Sequence, residues 1–164
     1  MNDNLIKCLS ITDRHSKMYM DHFLKPLGIN SSQHMYIIKI WENPGITQDC
    51  FIRLFHIHPS NITRSIAFLE KKGFLIRRHN EKDKRTCRLY PTAKTEQAYT
   101  MIHQIMLKLS RLLLSGFTEE EETLFLSLLQ RAQWNALSLK ECYKKGGNEN
   151  TYEHKNTTDK CPGI

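Results

Sequence analysis

The 164-residue chain combines 40% hydrophobic with 25% charged residues, a balance that is typical of a folded domain and argues against a disordered or membrane-embedded chain. Its five cysteines contain no CxxC pair, so neither a disulfide framework nor a zinc ribbon is expected. The polar amino terminus does not resemble a secretory signal, and no apolar run reaches the roughly 18 residues of a membrane span. We therefore expect a cytoplasmic protein with no membrane partner.

The first third of the sequence predicts three helices. Apolar residues recur at helical spacing over residues 4–24, and a Pro-Leu-Gly segment follows. A second helix is expected to begin at a cap formed by Ser31 or Ser32 and to end near Glu42, before an Asn-Pro-Gly turn. Thr47 is placed to cap a short third helix. A tight turn then follows.

The middle of the sequence predicts a fourth helix and a β-hairpin. The helix is expected over residues 59–72, because proline is tolerated in its first turn and Gly73 supplies a stop. Two short runs with apolar residues, 74–76 and 88–90, flank a charged turn. Such runs are typical of a hairpin, and Pro91 fits the end of an edge strand.

The last part of the sequence predicts two long amphipathic helices. The first is expected to begin after Thr92, and a capping box formed by Thr118 and Glu121 begins the second. Two such helices with few partners in a short chain indicate a dimer interface. Residues 146–164 are rich in Gly, Asn and Thr, so we expect a flexible tail.

The positive charge of the chain is concentrated in its middle. The formal net charge is +7, and residues 47–90 carry ten Lys and Arg against four Asp and Glu. A polyanion is the natural partner of such a segment, because phosphate contacts release counterions. Charge runs are also common on simply solvated faces, so charge alone does not establish nucleic-acid binding.

The order of helix, tight turn, helix and basic hairpin is that of a winged helix-turn-helix, whose second helix enters the major groove. The residues that carry this order are ITQDCFIRLFHIHPSNITRSIAFLEKKGFLIRRHNEKDKRTCRLYPT. This stretch resembles the MarR (multiple antibiotic resistance regulator) family in its Thr-Gln opening, Ser-x-x-Thr-Arg helix, Leu-Glu-Lys-Lys-Gly stop and Asp-x-Arg wing. The likeness extends over about residues 5–143. The sequence departs from the family pattern at Ile52, Pro91 and Thr95, where the family usually has alanine, leucine and glycine.

The resemblance implies a mainly α fold with a small β-hairpin wing, organised as a winged helix-turn-helix lobe and a helical dimerisation region. We place the MarR-type domain at residues 1–145 and the flexible tail at residues 146–164. Within that domain the DNA-binding lobe spans about residues 31–92. The dimerisation helices span about residues 4–24 and 93–145.

The candidate DNA-binding residues lie on the fourth helix and the hairpin. Short polar groups and a guanidinium in the first helical turns can reach base edges and phosphates, and this set is Ser60, Asn61, Thr63 and Arg64. Capping and backbone bonding are the alternative roles for Ser60 and Thr63. Arg77, Arg78, Lys84 and Arg88 are expected beside phosphates. The resemblance implies that Asp83 steadies the wing and that Arg85 enters the minor groove.

The resulting prediction is a bacterial or archaeal transcriptional regulator that binds a double-stranded operator as a homodimer. The resemblance implies a repressor that is released by a small aromatic effector, with His15, His22, His34 and Tyr36 as candidate pocket residues. No enzyme motif occurs, so no catalytic residue and no cofactor is expected. His56 and His58 near Cys50 lack further ligands at suitable spacing, so no metal site is expected either.

Two alternatives remain open at this point. Cys8 lies early in the first helix beside Lys7, and the hydroperoxide-sensing branch of the family uses a reactive cysteine near the amino terminus, so the chain is alternatively a thiol switch. It is alternatively a helical interaction adaptor whose basic wing is only solvated. Binding to mixed duplex DNA at low salt separates the adaptor from the regulator.

Overall fold

The computed structural model describes residues 4–79 and 87–144 of the chain. These residues are mainly helical and include a small antiparallel sheet. The elements, in chain order, are α1 (Asn4–Leu24), α2 (His34–Glu42), β1 (Ile46–Thr47), α3 (Gln48–Phe55), α4 (Pro59–Lys71), β2 (Leu75–His79), β3 (Cys87–Pro91), α5 (Ala93–Leu113) and α6 (Glu119–Lys144). The predicted fold class is therefore confirmed. The predicted tail at 146–164 lies outside the described residues.

The start of α2 differs from the prediction. Its N-cap is Gln33, and neither Ser31 nor Ser32 caps the helix. Both serine amides are already engaged, since Ser31 N–H donates to Asp21 Oδ1 at 2.6 Å and Ser32 N–H donates to Asn30 Oδ1 at 3.0 Å. A separate turn therefore forms before the helix, and the local Asn side chain competes with helix initiation.

The sheet has three strands in the order β1-β3-β2, and both pairings are antiparallel. The predicted hairpin corresponds to β2 and β3, but β1 was not predicted, because a two-residue strand leaves no periodicity to detect. The placement of Pro91 on an edge strand was wrong, because β3 is the central strand. Pro91 is tolerated there because β1 pairs only as far along β3 as Leu89, so the missing N–H removes no bond to β1.

The core lies where α2, α3, α4, the sheet, the end of α1 and the first half of α5 meet. Its largest fully buried side chains include Tyr36, Phe51 and Phe74, and aliphatic residues fill the spaces between them. The rings of Tyr36 and Phe51 have their centroids 5.1 Å apart, which is within the usual range for aromatic pairs in a core. This core holds α3 and α4 in a fixed relation.

The carboxyl end of α4 is closed by a Schellman motif. Gly73 adopts a left-handed conformation with φ of 78°. Its N–H donates to Glu70 O and the N–H of Phe74 donates to Leu69 O, both at 2.9 Å, which is the hydrogen-bond pattern of this motif. The predicted stop at Gly73 is confirmed, with α4 ending one residue earlier than expected.

The first turn of α5 is hydrogen-bonded to the chain that leaves α4. Thr92 Oγ1 donates to Gly73 O at 2.7 Å, and Lys94 Nζ donates to Lys72 O at 2.8 Å. Thr95 is buried and its hydroxyl donates to Phe74 O. This hydroxyl also accepts from the N–H of Thr92 at 2.9 Å and completes a capping box. The threonine that departs from the family pattern is thus fully hydrogen-bonded.

Of the residues that the structure describes, those before Gly116 form one compact unit, and residues 116–144 form a second. The second unit contains α6. Thr118 N–H donates to Glu121 Oε2 at 2.9 Å and Glu121 N–H donates to Thr118 Oγ1 at 3.2 Å, which confirms the predicted capping box. Among the described residues, no helix is long and apolar enough to cross a membrane.

Candidate nucleic-acid interface

The helix-turn-helix is formed by α3, a three-residue turn and α4. The turn begins at His56, which takes a left-handed conformation with φ of 52° and ends α3. Histidine is among the few non-glycine residues enriched in that conformation. Ile62 and Ile66 of α4 are completely buried, so the helix packs on the core by the face that carries them.

The four predicted contact residues of α4 lie on its exposed surface. Ser60, Asn61, Thr63 and Arg64 are all solvent-exposed. Since Ile62 and Ile66 fix the buried face, the helical period turns these polar residues away from the core. They are confined to the first two turns, where the helix dipole adds a partial positive charge that favours a phosphate.

The cap of α4 is a histidine, which the sequence analysis did not identify. His58 is the N-cap, and its Nδ1 accepts a hydrogen bond from the Ser60 N–H at 3.3 Å. The same nitrogen lies 2.8 Å from Ser60 Oγ. Ser60 therefore interacts with the cap and is not the cap itself. Histidine lies outside the residue types favoured at this position, so propensity gave no signal for it.

The remaining polar groups of this surface are engaged with one another. Arg64 Nη2 donates to Asn61 Oδ1 at 2.6 Å, and Arg64 Nε donates to Ser60 O at 3.4 Å. Gln48, the first residue of α3, donates from Nε2 to Thr63 Oγ1 at 2.6 Å. The hydroxyl of Thr63 in turn donates to Pro59 O at 3.1 Å. The side chains are thus held in defined positions on the helix surface.

The base of the wing carries three of the predicted phosphate-contacting arginines. Arg78 and Arg88 are directly opposite one another across β2 and β3. Arg78 also lies over the ring of Tyr90, 5.0 Å from its centroid. Like charges on opposed strand positions destabilise a sheet, so this pair concentrates positive potential that a bound anion would relieve.

Arg77 is less available for contact with a phosphate than Arg78 and Arg88. Its Nε lies 2.9 Å from Glu70 Oε2, although the alignment falls short of a hydrogen bond. Arg77 is only partly exposed, and this ion pair ties the wing to α4. The predicted wing residues Asp83, Lys84 and Arg85 lie outside the described residues.

The candidate effector residues are distributed over two helices. His15 and His22 are exposed on α1, whereas Tyr36 is buried on α2 with its ring against Phe51 and Phe55. Burial raises the pKa of the Tyr36 phenol, and a hydrogen bond with Ser65 opposes this shift. Tyr36 is thus a core residue in this structure, and the effector pocket remains a prediction.

His34 occupies the first turn of α2 and is partly buried. Its Nδ1 lies 2.6 Å from Ser31 O, so Nδ1 carries the proton and donates to this carbonyl. Burial lowers the pKa of His34, and the hydrogen bond to Ser31 opposes the shift. The neutral imidazole is therefore the form favoured by folding.

The cysteines whose side chains are described are free thiols. Cys8 is exposed, while Cys50 and Cys87 are half-buried. Cys50 Sγ lies 3.2 Å from Arg53 Nη2 and 3.3 Å from Thr47 Oγ1. Within residues 4–79 and 87–139, no cluster of three or more potential ligand side chains is placed to hold a metal ion.

Comparison with known proteins decides the family. The sequence model of the MarR family matches residues 29–87, which include the helix-turn-helix. The uncharacterised HTH-type transcriptional regulator YybA of Bacillus subtilis is 32% identical over 122 residues, which are 74% of this chain and 81% of YybA. This chain belongs to the MarR family. The resemblance seen in the sequence is confirmed.

A second relative and a solved structure are similar over much of the chain. The HTH-type transcriptional regulator BilQ of Clostridium symbiosum is 31% identical over 108 residues, 66% of this chain and 75% of BilQ. A MarR-family transcriptional regulator from Listeria monocytogenes, solved in complex with a 26mer DNA, is 27% identical with a TM-score of 0.81. That comparison covers 92% of this chain and 100% of the other. The chain is therefore a MarR-family transcriptional regulator with a winged helix.

Proposed function

We propose that this MarR-family protein is a homodimeric repressor that binds a pseudo-palindromic operator and is released by a small-molecule effector. The exposed polar surface at the start of α4 carries the proposal. Ser60, Asn61, Thr63 and Arg64 are held there in defined positions, as a helix that reads a major groove requires. The Listeria relative was solved in complex with a 26mer DNA.

The electrostatics of the wing support the same proposal. Arg78 and Arg88 are adjacent and both exposed, so the base of the wing offers two guanidinium groups to a phosphate backbone. We propose that Arg85 enters the minor groove beside the major-groove site and that Asp83 steadies the wing. Lys84 then contacts a phosphate and carries no sequence information.

Dimerisation is supported by apolar side chains left exposed on α1, α5 and α6. Soluble monomers rarely expose contiguous apolar patches of large area. Exposed large apolar residues of these helices include Leu5, Ile6, Met18, Leu112, Leu113, Leu124 and Trp134. A two-fold dimer buries such surface and presents two copies of α4 to half-sites about 34–36 Å apart.

Effector release is the third part of the proposal. His15, His22 and His34 belong to α1 and to the first turn of α2, and we propose that the effector binds beside them. A small aromatic ligand bound there would act by favouring an arrangement of the two lobes that does not fit the operator. Titration with phenolic acids, followed by thermal melting and operator binding, tests this step.

The proposal is tested by fluorescence anisotropy with an operator selected from random duplexes and with a scrambled duplex. Arg64→Ala is expected to weaken operator binding by about 1–3 kcal/mol and to lower specificity. Lys84→Ala should weaken both duplexes evenly and reduce the slope of log K against log salt by about one. Arg85→Ala should lose affinity mainly for A·T-rich flanks.

Arg14→Ala is the matched control. Arg14 is an exposed arginine on α1, and its substitution removes the same charge as Arg64→Ala. It should leave both affinities within about twofold, since Arg14 lies outside α4 and the wing. Thermal melting establishes that each variant is folded. Unchanged operator affinity in both Arg64→Ala and Arg85→Ala would contradict the proposal.

A further inference from the structure

The side chain of Thr63 is exposed on α4, yet its hydroxyl is already occupied. Its oxygen accepts from Gln48 Nε2 at 2.6 Å and donates its proton to Pro59 O at 3.1 Å. A hydroxyl has one proton to donate, and here that proton is committed to the backbone. Thr63 is therefore poorly suited to donate a hydrogen bond to a base edge.

The two hydrogen bonds also fix the orientation of the side chain. Threonine in a helix divides between two χ1 rotamers, because its hydroxyl can bond to the preceding turn. Gln48 lies 15 residues earlier, on α3, and approaches from outside the helix. The side-chain amide of Gln48 favours the Thr63 rotamer in which Oγ1 points toward Gln48. The γ-methyl group is then the part of Thr63 that remains for an incoming ligand.

The short polar side chains of Ser60 and Asn61 are also engaged, so a hydrogen bond from either of them to a base is less favourable. Ser60 Oγ lies 2.8 Å from His58 Nδ1, and Asn61 Oδ1 accepts from Arg64. If one of these hydrogen bonds had to break so that the side chain could bond to a base, part of the binding free energy would be lost. An apolar contact by the methyl group of Thr63 breaks none of them.

We propose that Thr63 is a specificity-determining residue that selects a thymine in each half-site through contact between its γ-methyl and the C5-methyl of the base. Thymine is the one base that presents a methyl group in the major groove. Gln48 is the positioning residue that holds this methyl outward. The inference rests on the proposed function, since it requires α4 to lie in the major groove.

The test uses deoxyuridine, which has the hydrogen-bonding groups of thymidine and lacks the methyl group. Operator duplexes are first selected from a random library with the full-length protein, and each thymine is then replaced singly by deoxyuridine. One replacement in each half-site is expected to weaken wild-type binding by about fourfold, the value of one buried methyl-sized group. The readout is fluorescence anisotropy at constant salt.

Two variants identify Thr63 as the source of this preference. Thr63→Ser keeps the hydroxyl and removes the methyl, so the thymine-to-deoxyuridine ratio at that position should fall to about one. Thr63→Val keeps a methyl and removes the hydroxyl, so the ratio should remain about fourfold. Thermal melting of each variant excludes a change in folding.

The role of Gln48 is tested by rescue. Gln48→Ala frees Thr63 to occupy both rotamers, so the ratio should fall to about two- or threefold. Adding Thr63→Val to Gln48→Ala should restore the ratio, because valine in a helix is almost confined to one rotamer without any partner. A role for Gln48 in general stability alone predicts no such restoration.

The outcomes separate the inference from the proposed function. Selected duplexes that bind tightly, but show no thymine whose methyl effect depends on Thr63, would overturn the inference and leave operator binding intact. Enrichment of no duplex at all would defeat the proposed function, and the inference would be lost with it. A Thr63-dependent methyl effect in each half-site supports both.

Discussion

Thr95 illustrates how one side chain can stabilise a junction in this protein. It is the buried polar residue of the described core, with 1% of its surface exposed. Its hydroxyl bridges the carbonyl of Phe74 and the amide of Thr92, so two backbone groups depend on it. Buried backbone groups without partners are costly, so the side chain matters more for its oxygen than for its size.

Thr95→Val is therefore expected to lower the free energy of unfolding by about 1–3 kcal/mol, because it leaves both groups unpaired at nearly constant volume. Chemical denaturation of the two proteins measures the difference. Thr100→Val on the same helix is the control, because Thr100 is exposed and bonds only to Glu96 O. Equal stabilities of the two variants would contradict the bridging role.

His34 makes stability depend on pH. Since its folded pKa lies below the ordinary value, the unfolded chain takes up the proton first as the pH falls. The stabilising preference for the neutral form is present above the unfolded pKa of about 6.5 and is progressively opposed by protonation below it. The wild type should therefore melt at a lower temperature at pH 5.5 than at pH 7.5.

His34→Gln removes this titration and should reduce the difference in Tm between pH 5.5 and pH 7.5. His103→Gln serves as the control, since His103 is exposed on α5 and should leave the difference nearly unchanged. If His34→Gln retained the full pH dependence, another titrating group would have to account for it.

Among the elements, the stability of α4 depends on the Schellman motif that ends it as well as on its packing against the core. Gly73 has φ of 78°, and a Cβ built on it would meet no atom within 4 Å. Substitution there thus tests backbone conformation without a steric clash. The left-handed region is unfavourable for residues with a Cβ and least so for asparagine among common ones.

Gly73→Ala is accordingly expected to destabilise the protein by about 1–2 kcal/mol, and Gly73→Asn should cost clearly less. Thermal denaturation of the three proteins, compared at the same pH and salt, measures both effects. An alanine variant as stable as the asparagine variant would show that the Schellman geometry is not what limits stability here.

The elements also show what the sequence could and could not predict. The bounds of α1 and the beginnings of α4 and α6 followed from periodicity, a first-turn proline and a capping box. The start of α2 was missed because Asp21, ten residues before Ser31, binds its amide. The hydrogen bond from Gln48 to Thr63 and the ion pair between Glu70 and Arg77 are tertiary contacts, and no local pattern encodes them.

At the scale of the whole molecule, a single chain leaves many large apolar side chains exposed to solvent. On α6 most of the large apolar residues from Leu124 to Leu139 are exposed, and Trp134 has 67% of its surface exposed. Leu128 is one of these exposed apolar residues, whereas Gln130 lies on the opposite side of the helix, about 200° away. The two positions thus separate an effect of the exposed apolar residues from an effect of the helix.

Light scattering of the wild type at micromolar concentration is expected to give about twice the chain mass of 19.3 kDa. Leu128→Lys should shift the mass toward that of one chain, because a charge would be buried in the interface. Gln130→Lys adds the same side chain on the other face and should leave the mass unchanged. A wild type that remains monomeric would contradict the dimer.

The hydrogen bonds between the start of α5 and the segment after α4 have a mechanical consequence. Three successive carbonyls, those of Lys72, Gly73 and Phe74, are each bonded by a side chain from the first turn of α5. A hinge at this joint would have to break all three bonds together. The carboxyl end of α4 and the amino end of α5 are therefore coupled, and a rotation of the start of α5 would be passed to the end of α4 through these three bonds.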